Sequence, residues 1–307
     1  VQLLPEHRER TLLQIISVNN QPVFLAKQAN SPETVVNIAQ ELRVYTCLQQ
    51  IPALAGHVPP LFAGDSRGGL IVLGWINHEP ATDLLHRHTV QDQLGTQLGA
   101  LHSATLPLSS QLNPVKKPWV FSMLSPVPEW QPEELPVVLG QGTNQDILSH
   151  GLNRAARAWS PDSLIHADLK QEHCLPVQDN GEERVYLIDW ELAGIGDSAW
   201  DVASIVSDIL FGRVYEFGEQ KHFGTLGVED LLASFLNSYA DIHPIDHVFL
   251  HKVALFTGGR LLQTSLESAA VYGVGEQSGV ALLVPMAEEI FADLDSFVSL
   301  LLQGCTV

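Results

Sequence analysis

Three cysteines in 307 residues, Cys47, Cys174 and Cys305, are few, odd in number and far apart. They form no CxxC pair and no zinc pattern, so a disulfide framework is excluded and a reducing, cytoplasmic home is expected. Basic residues are scarce too: 16 Lys and Arg stand against 35 Asp and Glu, a net charge of −19. A general binder of nucleic acid or anionic membrane needs a basic face, and this balance argues against one. It suits a cationic substrate, although acidic surfaces serve solubility first. Long hydrophobic runs are missing, which excludes a helical membrane span. The opening residues, VQLLPEHRER, show no signal-peptide pattern, and no repeat or low-complexity segment interrupts the chain.

What remains is a chain with 45 % hydrophobic and 17 % charged residues, enough to bury a core. TLLQIISV and PVFLAKQ, residues 11–18 and 22–28, are β-prone runs separated by NNQ, a hairpin signal. SPETVVNIAQELRVYTCLQQI follows, with Ser31 as N-cap, Pro32 at the first helical position and apolar residues at helical spacing. LIVLGWI, residues 70–76, reads as a buried strand. From residue 82 the pattern turns helical, with TVQDQLGTQLGALHSATLP and QDILSHGLNRAARAWS as amphipathic helices. Between them, residues 107–145 are rich in Pro, Ser and Gln and read as a long surface excursion. Two short strands joined across VQDNGEER precede a helix from Ser198, and residues 228–241, 246–270 and 279–303 complete a helical remainder.

Two carboxylates carry the chemistry. Asp168 follows the apolar run SLIH and Asp189 follows VYLI, each at the end of a strand where it can face a cleft. A β-hairpin is expected to bring the two together. Phosphoryl transfer asks for little more: a cation over the phosphates, metal ligands, and a carboxylate to orient or deprotonate the attacking hydroxyl.

The blocks HADLKQEH, LIDWE and GDSAWDVA, in that order, resemble the catalytic core of the aminoglycoside phosphotransferase and choline kinase group. LGALHSA is similar to the L-x-x-L-H helix that precedes the catalytic loop there. The resemblance implies an α+β, bilobal protein-kinase-like fold. Residues 1–76 would form a small β-rich nucleotide-binding lobe, and residues 77–307 a larger, mainly helical catalytic and substrate-binding lobe. It also implies roles. Asp168 would be the base or hydroxyl-orienting carboxylate, His166 would hold the loop's shape, and Lys170 would stabilise charge on the moving phosphoryl. Lys27 would bind nucleotide phosphate, with Glu41 as its partner on the next helix. Gly74 and Ile76 would offer backbone groups to adenine, Asp189 would ligate magnesium, and Asp201 would brace the loop from below.

The pattern departs from the family in two places. LPEHRERTLL stands where a Gly-rich loop would cover the phosphates, leaving Arg8 or Arg10 as candidate phosphate contacts beside a surface reading of both. His173 replaces the asparagine that supplies a metal-binding amide oxygen, and imidazole is a poor magnesium ligand. One metal instead of two, a site tolerant of manganese, or Glu191 as the second carboxylate are the outcomes left open. The expected activity is transfer of the γ-phosphoryl of ATP or GTP, with Mg2+ or Mn2+, to a hydroxyl of a small molecule such as an amino sugar, amino alcohol or sugar. Alternatives are a kinase of Ser or Thr in a peptide of a modified-peptide pathway, and a pseudokinase that binds nucleotide or peptide and regulates a partner protein. An activation segment ending in A-P-E has no room between LIDWE and GDSAWDVA, which argues against a conventional protein kinase. Glu216, Glu219, Glu229, Asp230 and Asp241 are acids on the helical part that could meet a cationic acceptor.

Overall fold

The computed structural model describes residues 2–3, 11–78, 87–104, 112–125, 135–140, 143–179, 181–217, 222–272, 280–303 and 305. Arg8, Arg10 and Glu219 lie outside them. The chain opens on a five-stranded antiparallel sheet in the order β1-β2-β3-β5-β4. Its strands are β1 (Gln2–Leu3), β2 (Thr11–Val18), β3 (Gln21–Ala29), β4 (Leu61–Asp65) and β5 (Leu70–Gly74). The predicted hairpin is β2–β3, turned by Asn19 and Asn20, both with positive φ, a region asparagine tolerates.

Helix α1 (Pro32–Leu48) starts where the sequence places it. Ser31 Oγ accepts from the Thr34 amide and Thr34 Oγ1 accepts from the Ser31 amide, a reciprocal cap. The face of α1 carrying Ile38, Glu41, Tyr45 and Leu48 is buried. The spacing that gave this helix its apolar stripe therefore also turns Glu41 inward.

The remainder is mostly helical. Helix α2 (His88–Ser103) crosses α6 (Glu229–Ala240) closely. A Cβ on Gly95 would meet the Phe235 carbonyl at 2.3 Å, so only glycine permits the crossing. Helix α3 (Leu135–Leu139) is short, and α4 (Gln145–Ala158) leads into β6 (Ser163–Ile165). Strands β7 (Cys174–Asp179) and β8 (Glu182–Leu187) form a hairpin, and β9 (Gly194–Gly196) pairs with β6. This differs from the expected pairing: the strand before Asp168 meets β9, and the hairpin partner of β8 comes after the catalytic block. Helices α5 (Ser198–Phe217) and α7 (His247–Tyr272) form the centre of this part. The single helix expected over 279–303 is two, α8 (Val280–Ala292) and α9 (Leu294–Leu302), because Asp293 caps the second through the Ser296 amide.

The Pro-rich segment is not a surface excursion over its described part. Leu112, Val120, Phe121 and Met123 are buried, and Phe121 packs among Trp159, Trp200 and Phe256. Pro114 bridges Ile195, and the Val115 amide donates to the Ile195 carbonyl at 2.7 Å. Proline content suggested exposure, but a segment with few donors of its own can lie against an existing strand and bury its aromatics. Among the described residues no helix is long and apolar enough to cross a membrane.

Candidate active site

The sheet and the helical part meet at a cleft of about 490 Å³, a size that suits a small-molecule ligand. Lys27, Tyr45, Gly74, Ile76, Asp189 and Glu191 line it. Lys27 sits on β3 between β2 and β5, so its stem is covered while its ammonium reaches the cleft floor. There Nζ donates to Glu41 Oε1 and to Asp189 Oδ1, both at 2.8 Å. Burial alone would lower the Lys27 pKa, but the two carboxylates outweigh it and hold the ammonium above its ordinary range. Burial pushes Glu41 up against the pull of Lys27. The trio thus joins β3, α1 and the turn after β8, elements separated by up to 162 residues in sequence.

Gly74 and Ile76 line the same cleft. The Gly74 amide donates to the Pro60 carbonyl at 2.8 Å. A Cβ at Gly74 would stand 2.6 Å from the Pro60 ring, which accounts for glycine at this position.

The loop bearing Asp168 is held from beneath. Asp201, fully buried at the start of α5, accepts the His166 amide on Oδ2 at 2.7 Å and the Ala167 amide on Oδ1 at 2.9 Å. Trp200 Nε1 donates to the Ala167 carbonyl at 3.0 Å. These bonds hold Ala167 at φ 71°, a left-handed conformation that costs an alanine about 1–2 kcal/mol. His166 Nε2 donates to the Ile188 carbonyl at 2.8 Å, tying this loop to the one that carries Asp189. His102, from the L-x-x-L-H helix, lies between Asp201 and the Tyr239 hydroxyl, 3.3 Å from one and 2.9 Å from the other. Asp197 accepts from the Ser160 amide and from Lys252 Nζ, both at 2.7 Å, and so belongs to the packing beneath the loop.

The Asp168 side chain is 21 % exposed, with Lys170 Nζ 3.4 Å from Oδ2 and Arg260 Nη1 4.0 Å from Oδ1. His173 Nδ1 donates to the Asp168 carbonyl at 2.6 Å, and its Nε2 lies 3.4 Å from Asp189 Oδ2. Burial and the neighbouring His166 lower the His173 pKa to about 4, so its ring is neutral near pH 7. A neutral ring with its proton on Nδ1 presents a lone pair on Nε2. In outline that is what an asparagine amide does, a donor on one side and an acceptor on the other.

Lys27, Asp189, Glu191, Gly74, Ile76 and His173 thus line one cleft, His173 also bonding the Asp168 loop, while Glu41 is buried behind Lys27. Arg260 and Asp208, which also touch that loop, were not anticipated. Asp208 lies seven residues after Asp201 on α5, hence on the same face, and that spacing was a usable signal. The acids considered for a cationic acceptor do not converge: Glu229 and Asp230 open α6, Asp241 follows its end, and Glu216 pairs with Arg213.

The family model of the phosphotransferase enzyme family matches residues 10–233. The chain belongs to this family. The protein is therefore a phosphotransferase, a kinase with an alcohol group as acceptor, and its α+β architecture is the protein-kinase-like one. No curated protein sequence matches the chain. Among solved structures it is similar to a choline/ethanolamine kinase family protein from Mesorhizobium loti, at 14 % identity and TM-score 0.60, covering 98 % of this chain and 92 % of that one. A choline kinase from Streptococcus pneumoniae is similar at 17 % identity and TM-score 0.58, covering 95 % and 94 %. An aminoglycoside phosphotransferase from Alicyclobacillus acidocaldarius is similar at 14 % identity and TM-score 0.60, covering 97 % and 92 %. At such identities the likeness speaks for the fold alone.

Proposed function

We propose that this phosphotransferase moves the γ-phosphoryl group of ATP, or of GTP, to a hydroxyl of a small molecule such as an amino sugar, amino alcohol or sugar. The observation that carries the reading is the Lys27 ammonium held at 2.8 Å from both Glu41 and Asp189 at the floor of the cleft. Residues 1–76 serve as the nucleotide-binding lobe and residues 77–307 as the catalytic and acceptor-binding lobe. Lys27 binds phosphate oxygens, Glu41 holds Lys27 in place, and the backbone at Gly74 and Ile76 meets the base. Asp168 orients the acceptor hydroxyl and takes its proton, and Lys170 meets the charge that develops on the transferred group. His166 and Asp201 keep the loop in shape.

A divalent cation suits the donor set. Magnesium is ordinarily held by one or two carboxylates together with substrate phosphates, not by an all-protein cage. Among the described residues no three of His, Cys, Asp or Glu are grouped to hold a metal by themselves, so a site here needs the phosphates as further ligands. Asp189, with Glu191 or His173 beside it, would hold the ion together with the nucleotide phosphates, whose charge it would neutralise when bound. His173 Nε2 is aimed toward Asp189 while Nδ1 is committed to the Asp168 carbonyl, which favours the histidine as the replacement for the missing amide. An imidazole in that position favours manganese over magnesium relative to an amide oxygen. An amicoumacin kinase of similar fold, at 13 % identity and TM-score 0.59, is known in complex with AMP-PNP, Ca2+ and Ami, which supports nucleotide and divalent cation as joint ligands here.

The test is incubation of the purified protein with labelled ATP and Mg2+ or Mn2+, with and without candidate acceptors. Slow hydrolysis, a thermal shift with nucleotide and transfer to a small-molecule hydroxyl are expected. Absence of both hydrolysis and nucleotide binding under either metal would refute the kinase reading and leave the pseudokinase. Transfer to Ser or Thr of a peptide but to no small molecule would replace the acceptor class.

A further inference from the structure

Arg260 lies within α7, yet its side chain is 2 % exposed. A buried guanidinium brings five donors out of water, and a helix that needed only packing would carry an apolar residue there. Nη2 donates to the Leu169 carbonyl at 3.2 Å, and the guanidinium carbon lies 5.3 Å from the centre of the Trp200 ring. Nη1 stands 4.0 Å from Asp168 Oδ1, and among the described residues neither Nη1 nor Nε makes a hydrogen bond. Arg260 also acts electrostatically on Asp208: burial raises that carboxyl to about 6 while Arg260 pulls it down. Asp208 Oδ2 in turn accepts the Gln171 amide at 2.8 Å.

These contacts form a pattern along one helix face. Asp201 supports the first half of the catalytic loop through the amides of His166 and Ala167. Asp208, about two turns further along α5, supports the second half through Gln171. We propose that Arg260 is a positioning residue for phosphoryl transfer. With the half-buried Asp208 it forms a second tier beneath the loop, fixing Leu169 by its carbonyl and directing a free donor at the Asp168 carboxylate. Asp168 then has a cation beside each oxygen, Lys170 at Oδ2 and Arg260 at Oδ1. The plane of the carboxylate is set before an acceptor arrives. The inference rests on the assignment of Asp168 under the proposed function.

The test uses the full chain as Arg260→Met, Arg260→Lys and Asp168→Ala. Three readouts are taken: ATP hydrolysis with Mg2+ or Mn2+, AMP-PNP affinity, and amide hydrogen exchange at Gln171. Arg260→Met is expected to lower hydrolysis about 100-fold, the scale of a catalytic group misplaced by about 1 Å. AMP-PNP affinity should stay within about twofold while the Gln171 amide loses protection. Arg260→Lys keeps the charge but not the fork, so it should recover about a tenth of wild-type hydrolysis. Arg260→Met at the wild-type rate overturns the proposal, as does a loss that only tracks AMP-PNP affinity. If the methionine variant does not fold, Arg260→Lys decides: wild-type hydrolysis with wild-type protection at Gln171 overturns the proposal. Unchanged hydrolysis in Asp168→Ala would instead sink the assignment of Asp168, and exchange at Gln171 would still judge the second tier.

Discussion

The Lys27 cluster in the cleft and the Asp168 loop beside it handle charge in opposite ways. On the Lys27 side, one ammonium and two carboxylates meet at 2.8 Å, and Lys27 and Glu41 are almost wholly buried. On the Asp168 side, a partly exposed carboxylate has cations at 3.4 Å and 4.0 Å and, among the described residues, no side-chain bond of ordinary length. The first arrangement is complete without a substrate, and the second is not. A site that clamps one reactant and activates another needs both, since preorganised charge stabilises a transition state while the reacting group must stay free to move.

Breaking the open side should cost the most activity. Asp168→Ala is expected to lower turnover about 1,000-fold, the range of general acid–base catalysis, with AMP-PNP affinity nearly unchanged in a binding titration. Breaking the closed side should cost stability as well. Lys27→Met leaves Glu41 buried opposite an apolar chain, an uncompensated charge worth about 3–5 kcal/mol. Urea unfolding should show that loss, together with weaker nucleotide binding.

The support beneath the open side can be read through pH. Asp208 has its carboxyl raised to about 6 in the folded protein, above its ordinary value of 3.8. As pH rises from about 4 to about 6 the unfolded chain gives up this proton first, so stability falls across that window. The full effect is about 3 kcal/mol. Asp208→Asn should remove this slope, and urea midpoints taken from pH 4 to pH 7 would show it. The smallest change is at Ala167. Glycine relieves the left-handed strain but loses more chain entropy on folding, so Ala167→Gly should shift stability by no more than about 1 kcal/mol, toward stabilisation. A marked loss of stability would mean that the alanine methyl makes a contact that matters more than the strain.

Much of the site was legible because its residues follow local rules. Ser31, Pro32 and Thr34 start α1 through a cap confined to four residues, and the helical period then turns Glu41 inward. Asp168 and Asp189 stand out because each ends an apolar run within a recognisable block. Arg260 and Asp208 were not legible in the same way. A charged residue on a helix usually points to solvent; the spacing of Asp208 from Asp201 hints at a shared face, but nothing local shows that α7 buries Arg260 against a loop some 90 residues away. The segment around Phe121 was misjudged for a related reason, because proline content describes the segment itself and not the aromatic cluster waiting for it.

The sequence by itself determined which residues carry charge, where helices and the first hairpin begin, and that two carboxylates follow apolar strands in a fixed order. Capping, turn preference and hydrophobic period act over a few residues, so they are written in neighbours. Only the tertiary structure decided what surrounds each charge. It paired β6 with β9, put Lys27 between Glu41 and Asp189, bonded one His173 nitrogen to the Asp168 carbonyl and set the other 3.4 Å from Asp189, and sank Arg260 beneath Asp168. Electrostatic energy depends on distance and burial in three dimensions, and those exist only once the chain has folded.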